Sequence, residues 1–184
     1  MKQIETSLPG VCLIEPQVFK DARGFFFESY QERKFAELGI HDSFVQDNQA
    51  HSIKDVLRGL HYQVIRPQAK LCRVIQGEVL DVVVDIRNGS PHFGRYMSAV
   101  LSAENMRQIY VPAGFAHGCL VLSETAEFLY KCSDFYYPEH ERGIIWDDAE
   151  IGINWGIQRP VLSAKDLSHP ALADIRISEL LDYD

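Results

Sequence analysis

Short strand-forming runs, each closed by a turn signal, follow one another along most of this chain, and few folds accommodate that pattern. The runs are Val11–Glu15, Gly24–Tyr30, Ser43–Asn48, Val56–Gln63, Ala69–Ile75, Glu78–Arg87, Arg95–Leu101, Arg107–Val111, His117–Leu122 and Glu127–Tyr137. Asp21-Ala22-Arg23-Gly24, Gln76-Gly77, Asn88-Gly89-Ser90-Pro91 and Pro112-Ala113-Gly114 punctuate them. Such spacing in a chain of 184 residues predicts an all-β, double-sheet sandwich or jelly roll, a barrel of the kind that offers a cavity lined from several strands. Val82-Val83-Val84 breaks the alternation of its run, which predicts a strand covered on both faces. Short peripheral helices are expected at Gln31–Leu38, closed by Gly39, and at Ala171–Leu181. The whole of 1–184 reads as one domain, with a barrel over about 43–137 and the segments 1–42 and 138–184 packing on it.

Charge and composition narrow the partners. A net charge of −8 with no Lys/Arg run argues against nucleic acid. No apolar stretch approaches the roughly 20 residues that cross a bilayer, and the N-terminus lacks a signal-like apolar core. Cys12, Cys72, Cys119 and Cys132 are scattered among apolar neighbours, as reduced, packed thiols are, which points to the cytoplasm.

The segment Val56-Leu57-Arg58-Gly59-Leu60-His61-Tyr62-Gln63 is the first candidate for chemistry. In a regular strand Arg58 and His61 face opposite sides, but a kink at Gly59 aims both into one cavity. His61 is then a candidate base and Arg58 a clamp for an anionic substrate, although this segment alone favours a partly buried structural histidine.

Val111-Pro112-Ala113-Gly114-Phe115-Ala116-His117 resembles the second motif of the cupin superfamily, whose members are double-stranded β-helix barrels. Where many cupins carry His-x-His, this chain reads His61-Tyr62-Gln63, so a three-histidine metal site lacks a ligand. The resemblance sharpens further. Asp21 to Glu28, Phe44 to Asn48, Leu57 to Gln63, Lys70-Leu71, Gly77 to Arg87, Ser90 to Gly94, Gly114 to Gly118, Glu127 to Lys131, Ile145 to Asp148 and Leu162 to Asp166 occur in order. In these blocks the chain resembles the dTDP-4-dehydrorhamnose 3,5-epimerase family, metal-free cupins of dTDP-L-rhamnose synthesis. His92, Phe135 and Gly156 depart from the family pattern, and only Phe135 falls near expected site residues.

That resemblance implies an enzyme without cofactor that inverts C3 and C5 of dTDP-4-dehydro-6-deoxy-D-glucose. The C4 ketone acidifies both protons, because either carbanion delocalises onto its oxygen. Inversion needs a base on one ring face, a proton donor on the other, and a positive group at the enolate oxygen. By resemblance His61 is the base, Asp166 the carboxylate that orients it, Tyr130 the acid and Lys70 the enolate partner. Without it, Tyr130 reads as a core tyrosine, Lys70 as a solvated lysine and Asp166 as a cap. Arg23, Arg58 and Lys165 match substrate-holding positions, and Glu28, Gln46, Asp47, Asn48 and Glu141 match positions contacting nucleotide or sugar. Tyr136 matches an aromatic that stacks on the base, and His117 a substrate contact instead of a metal ligand. A homodimer is also implied, with early apolar strands such as Phe25–Tyr30 meeting a partner. Open alternatives are a 3- or 5-epimerase acting at one carbon, a 3,4-ketoisomerase, a metal-dependent cupin oxygenase, and a sugar-binding cupin without catalysis.

Overall fold

Two antiparallel sheets facing one another frame residues 1–183, which the computed structural model describes. The chain opens with β1 (Lys2–Glu5), β2 (Cys12–Glu15), the hairpin β3 (Phe19–Asp21) and β4 (Gly24–Phe26), and α1 (Glu32–Glu37). It continues through β5 (Gln46–Ile53), β6 (Leu57–Gln63), β7 (Lys70–Gln76), β8 (Glu78–Asp85) and β9 (Tyr96–Ser102). The last strands are β10 (Gln108–Val111), β11 (Phe115–Val121), β12 (Thr125–Cys132) and β13 (Glu141–Gly143). One sheet has the order β1-β2-β10-β7-β12-β5 and the other β13-β6-β11-β8-β9. This is the expected mainly-β, cupin-type architecture. Its sheets also draw strands from outside 43–137, since β1 and β2 extend one sheet and β13 the other.

Alternation along β8 explains its continuous apolar run. Val79 and Val83 enter the core between the sheets, while Val82 and Val84 face a second core on the outside of the five-stranded sheet. There Ile144, Ile151, Trp155 and Leu172 from the C-terminal segment cover them. All three residues of Val82-Val83-Val84 are therefore fully buried, as a doubly covered strand requires.

The helix α1 begins after Gln31, whose side chain accepts from the Lys34 N–H at 2.7 Å, and it places Phe35 over Cys12, Ile14 and Leu71. The second expected helix does not form. Residues 171–181 instead make 3-10 turns at Leu172–Asp174 and Ile177–Glu179, with Ile175 and Arg176 extended between them. Tertiary packing overrides the helical pattern here, because Leu172, Ile175 and Leu180 each dock separately on the outer core. Strand boundaries also shift: β4 ends at Phe26 instead of Tyr30, and its hairpin partner β3 was not expected. β5 runs on to Ile53, and β12 stops at Cys132 instead of Tyr137.

The feature that positions the site lies between β6 and β11. His117 pairs with His61 and Cys119 with Arg58, so one residue of β11 opposes two of β6, Gly59 and Leu60. The extra residue is a β-bulge, and it shifts the side-chain alternation by one. Leu57, Leu60 and Tyr62 remain in the outer core while both Arg58 and His61 line the interior cavity. Gly59 makes this possible with φ +119°, and a Cβ there would sit 2.7 Å from the Gly118 Cα and 2.8 Å from the His117 carbonyl oxygen. Gly59→Ala thus combines a left-handed backbone with a backbone clash. It should destabilise the protein by about 2 kcal/mol or more in urea denaturation, and the residual folded protein should lose turnover.

Candidate active site

The two sheets enclose a cavity of about 410 Å³. β6 and β11 furnish one wall with Arg58, His61 and His117; β5, β7 and β12 furnish the other with Gln46, Asn48, Lys70 and Tyr130. The rim holds Tyr136, Glu141, Ser163, Lys165 and Asp166, which come from segments beyond the barrel strands. Every one of these except Ser163 was a candidate from the sequence, and the fold brings them to one place.

His61 Nε2 meets Asp166 Oδ1 at 2.5 Å, and its Nδ1 lies 4.0 Å from Glu141 Oε1. Ser163 braces the carboxylate by donating its hydroxyl to Oδ2 at 2.7 Å, while accepting from the Asp166 N–H at 3.1 Å. Asp166 is buried, which pushes its pKa up, but hydrogen bonds from His61, Ser163 and the Gly59 backbone outweigh that and bring it down to about 2. The residue is therefore a carboxylate at neutral pH, suited to orienting His61 and stabilising its imidazolium. Ser163 went unnoticed in the sequence; its place three residues before Asp166 was the available signal.

On the opposite wall, burial pushes the Tyr130 phenol up to about 12, so it keeps its proton at neutral pH. Lys70 reaches the same cavity from β7 and has no ion-pair partner among the described residues, leaving its charge available to a ligand. Lys165 and the Tyr136 hydroxyl both donate to Glu141 Oε2, tying three rim residues together. Arg58 is held by Ser52, whose hydroxyl oxygen accepts from Nε and from Nη2 at 3.1 Å each. Gln46 accepts the Tyr136 N–H at 3.0 Å, so the β5 wall also fixes the aromatic at the rim.

His117 has a partner that sequence reasoning missed. Its Nε2 lies 2.9 Å from both oxygens of Asp81, a carboxylate with no solvent exposure, and its ring stacks on Phe128. The period of two in β8 puts Asp81 on the inner face, and no sequence motif marked it.

Three candidates lie elsewhere. Asp47 was grouped with Gln46 and Asn48, but on a strand consecutive residues face opposite sides, and Asp47 points outward to Lys131 at 2.9 Å. Arg23 pairs with Asp21 at the tip of the β3–β4 hairpin with 90% of its side chain exposed, and Glu28 pairs with Lys34. Neither belongs to the cavity formed by its own chain.

Metal ligation can be tested on geometry. His61, Asp166 and His169 are the set able to share an ion among the described residues. Two ligands on one zinc stand about 3.3 Å apart, given bond lengths near 2.0 Å and tetrahedral angles. The 2.5 Å contact of His61 with Asp166 leaves no room for an ion between them. Gln63, which replaces the second histidine of the cupin motif, is occupied structurally: it donates to the Arg66 and Phe135 carbonyls and accepts the Tyr137 N–H. The residues present do not fit a resident metal.

The depressed Asp166 pKa links to stability. Its carboxylate favours the folded state above the unfolded pKa near 4, and that contribution fades as pH falls from about 4 to 2. The stability gap between the native chain and Asp166→Asn in urea denaturation should accordingly narrow by about 2 kcal/mol from pH 5 to pH 2.

Residues 5–174 match the family model for dTDP-4-dehydrorhamnose 3,5-epimerase. The chain is 57% identical over 176 residues to the dTDP-4-dehydrorhamnose 3,5-epimerase of Pseudomonas aeruginosa, covering 95% of this chain and 97% of that one. Its structure is similar to a dTDP-6-deoxy-D-glucose-3,5-epimerase from Legionella pneumophila solved with dTDP-4-keto-L-rhamnose, with TM-score 0.97 and 48% identity over 100% and 98% of the two chains. A 3′-monoepimerase from Streptomyces bikiniensis solved with dTDP-quinovose is also similar, with TM-score 0.91 and 37% identity over 97% and 92%. The His61–Asp166 pair and the facing Tyr130 and Lys70 thus sit in a chain that belongs to the dTDP-4-dehydrorhamnose 3,5-epimerase family.

Proposed function

We propose that this chain inverts C3 and C5 of dTDP-4-dehydro-6-deoxy-D-glucose with His61 as base and Tyr130 as acid. The observation that carries the reading is their placement on opposing sheets across one cavity. A sugar ring between the sheets presents one face to His61 and the other to Tyr130, the arrangement that inversion demands.

His61 Nδ1 is the nitrogen left for the substrate, since Nε2 is engaged by Asp166. It removes the proton at C3 or C5, and the electron pair moves onto the C4 oxygen. Lys70 stabilises that oxygen as negative charge develops there. Tyr130 then delivers its proton to the carbon from the opposite face. Its protonated state at neutral pH fits this donor role. Arg58 and Lys165 supply positive charge for the diphosphate, and Tyr136 at the rim offers a face to the base. Gln46, Asn48, Glu141 and His117 complete the binding surface.

The working unit in this reading is a homodimer in the cytoplasm. Phe19, Phe25 and Phe26 on the β3–β4 hairpin are 57%, 60% and 66% exposed, an apolar patch of the kind a second copy covers. Covering it places Arg23 and Glu28 at the boundary between copies, which accounts for their distance from their own cavity. The four cysteines are free thiols and buried, in keeping with a reducing compartment. Light scattering on a sizing column should report a dimer at micromolar concentration, and Phe26→Glu should shift it toward monomer.

Turnover in D2O should place deuterium at both C3 and C5 of the product. Exchange at C3 alone or C5 alone would instead favour a mono-epimerase, and a migrated carbonyl in the proton NMR spectrum a ketoisomerase. His61→Asn should abolish exchange at both carbons, and Lys70→Met should lower kcat by about 10²–10³.

A further inference from the structure

His169 sits directly behind the catalytic pair and is used by no step above. Its side chain is 9% exposed, and its Nε2 is buried without a hydrogen-bond partner. That nitrogen lies 3.7 Å from Asp166 Oδ1, the same oxygen that His61 Nε2 contacts. The two imidazole rings stand edge to face, with centroids 5.6 Å apart and planes at 78°.

The backbone has been shaped around this ring. Gly143 on β13 pairs with His61 on β6, and a Cβ at Gly143 would fall 2.5 Å from the His169 Cδ2 and Cε1. Gly143 has no left-handed φ to explain its identity, so the space it leaves is filled by the imidazole. On the following residue, the Pro170 carbonyl accepts the Ile145 N–H at 2.9 Å, which anchors the segment against β13.

An orphaned polar atom in a buried site is costly, and an apolar side chain would avoid the cost. About half an ångström of approach brings His169 Nε2 within hydrogen-bond range of Asp166. We propose that His169 is a positioning residue for the base: with its proton on Nε2 it directs an N–H dipole at Asp166 Oδ1, holding the carboxylate in register and limiting its pull on the His61 proton. This inference rests on His61 being the base.

The charged and titratable groups facing His169 are His61 from β6, Glu141 from β13, and Lys165 and Asp166 from its own segment. Burial, reinforced by His61 and Lys165 and opposed by Asp166 and Glu141, pushes its pKa down and so favours the neutral ring. A neutral donor moderates Asp166 without neutralising it. Losing that donor leaves the carboxylate a stronger partner for the imidazolium, so His61 gives up its proton only at higher pH.

Four single variants and one double variant test this. His169→Leu should lower kcat about tenfold with KM within about twofold, and move the acid limb of the kcat profile up by about half a pH unit. His169→Gln, which keeps an N–H near the Nε2 position, should restore both toward the native values. Gly143→Ala, which pushes on the ring without removing a polar group, should lower kcat, and far less so in a His169→Ala background. Native kcat and an unmoved acid limb in His169→Leu would overturn the proposal, as would a loss that His169→Gln does not repair, since that marks packing alone. If His61→Asn retains exchange, the base assignment falls; if it loses exchange while the His169 variants behave natively, only the role of His169 falls.

Discussion

The bulge between β6 and β11 is the constraint on which the rest of the site depends. A regular β6 would send either Arg58 or His61 into the outer core, where Leu60 and Tyr62 pack under Ile144 and Trp155. One unpaired residue on β6 resolves the conflict, because it resets the alternation between the two side chains. The two backbones approach so closely there that both Gly59 and Gly118 lack room for a Cβ: at Gly118 it would lie 2.7 Å from the Arg58 carbonyl oxygen. A local backbone irregularity thus supplies the cavity with both a guanidinium and an imidazole, while the outer apolar layer stays continuous.

The proposed mechanism divides its groups between the two sheets. His61 is fixed from one side by Asp166, itself held by Ser163 and by the C-terminal segment that packs on the outer core. Tyr130 and Lys70 belong to neighbouring strands of the other sheet, where Tyr130 pairs with Cys72 and Cys132 with Lys70. Their separation is therefore set by the packing of Val74, Val83, Ile109 and Phe128 between the sheets, not by any loop. Rigid placement of opposed groups is what a proton transfer at two carbons of one ring requires.

The elements legible in the sequence were those whose inner face is apolar. β8, β11 and β12 announced themselves through Val, Phe and Leu, and α1 through its closing glycine. β5 was legible only over its first residues, within the expected run Ser43–Asn48, because Gln46 and Asn48 line a polar cavity and the strand carries little hydrophobic signal on to Ile53. β1 and β13 are short edge strands defined by their neighbours. The expected helix over 171–181 failed for the opposite reason: its apolar residues had individual docking sites on the outer core that outweighed the local preference.

Family resemblance, carried by blocks that occur in order along the chain, nominated His61, Asp166, Tyr130 and Lys70; read alone, the last three look like a cap, a core tyrosine and a solvated lysine. It was also enough to see that Gln63 breaks the metal-binding pattern. Only the tertiary structure decided which side each residue faces: Asp47 away from the cavity, Asp81 beneath His117, Arg23 and Glu28 on an exposed hairpin. It alone brought His169 behind Asp166. The reason is that facing depends on pairing register and on contacts between residues far apart in the chain. Those are properties of the packed sheets and are not carried by any local stretch of sequence.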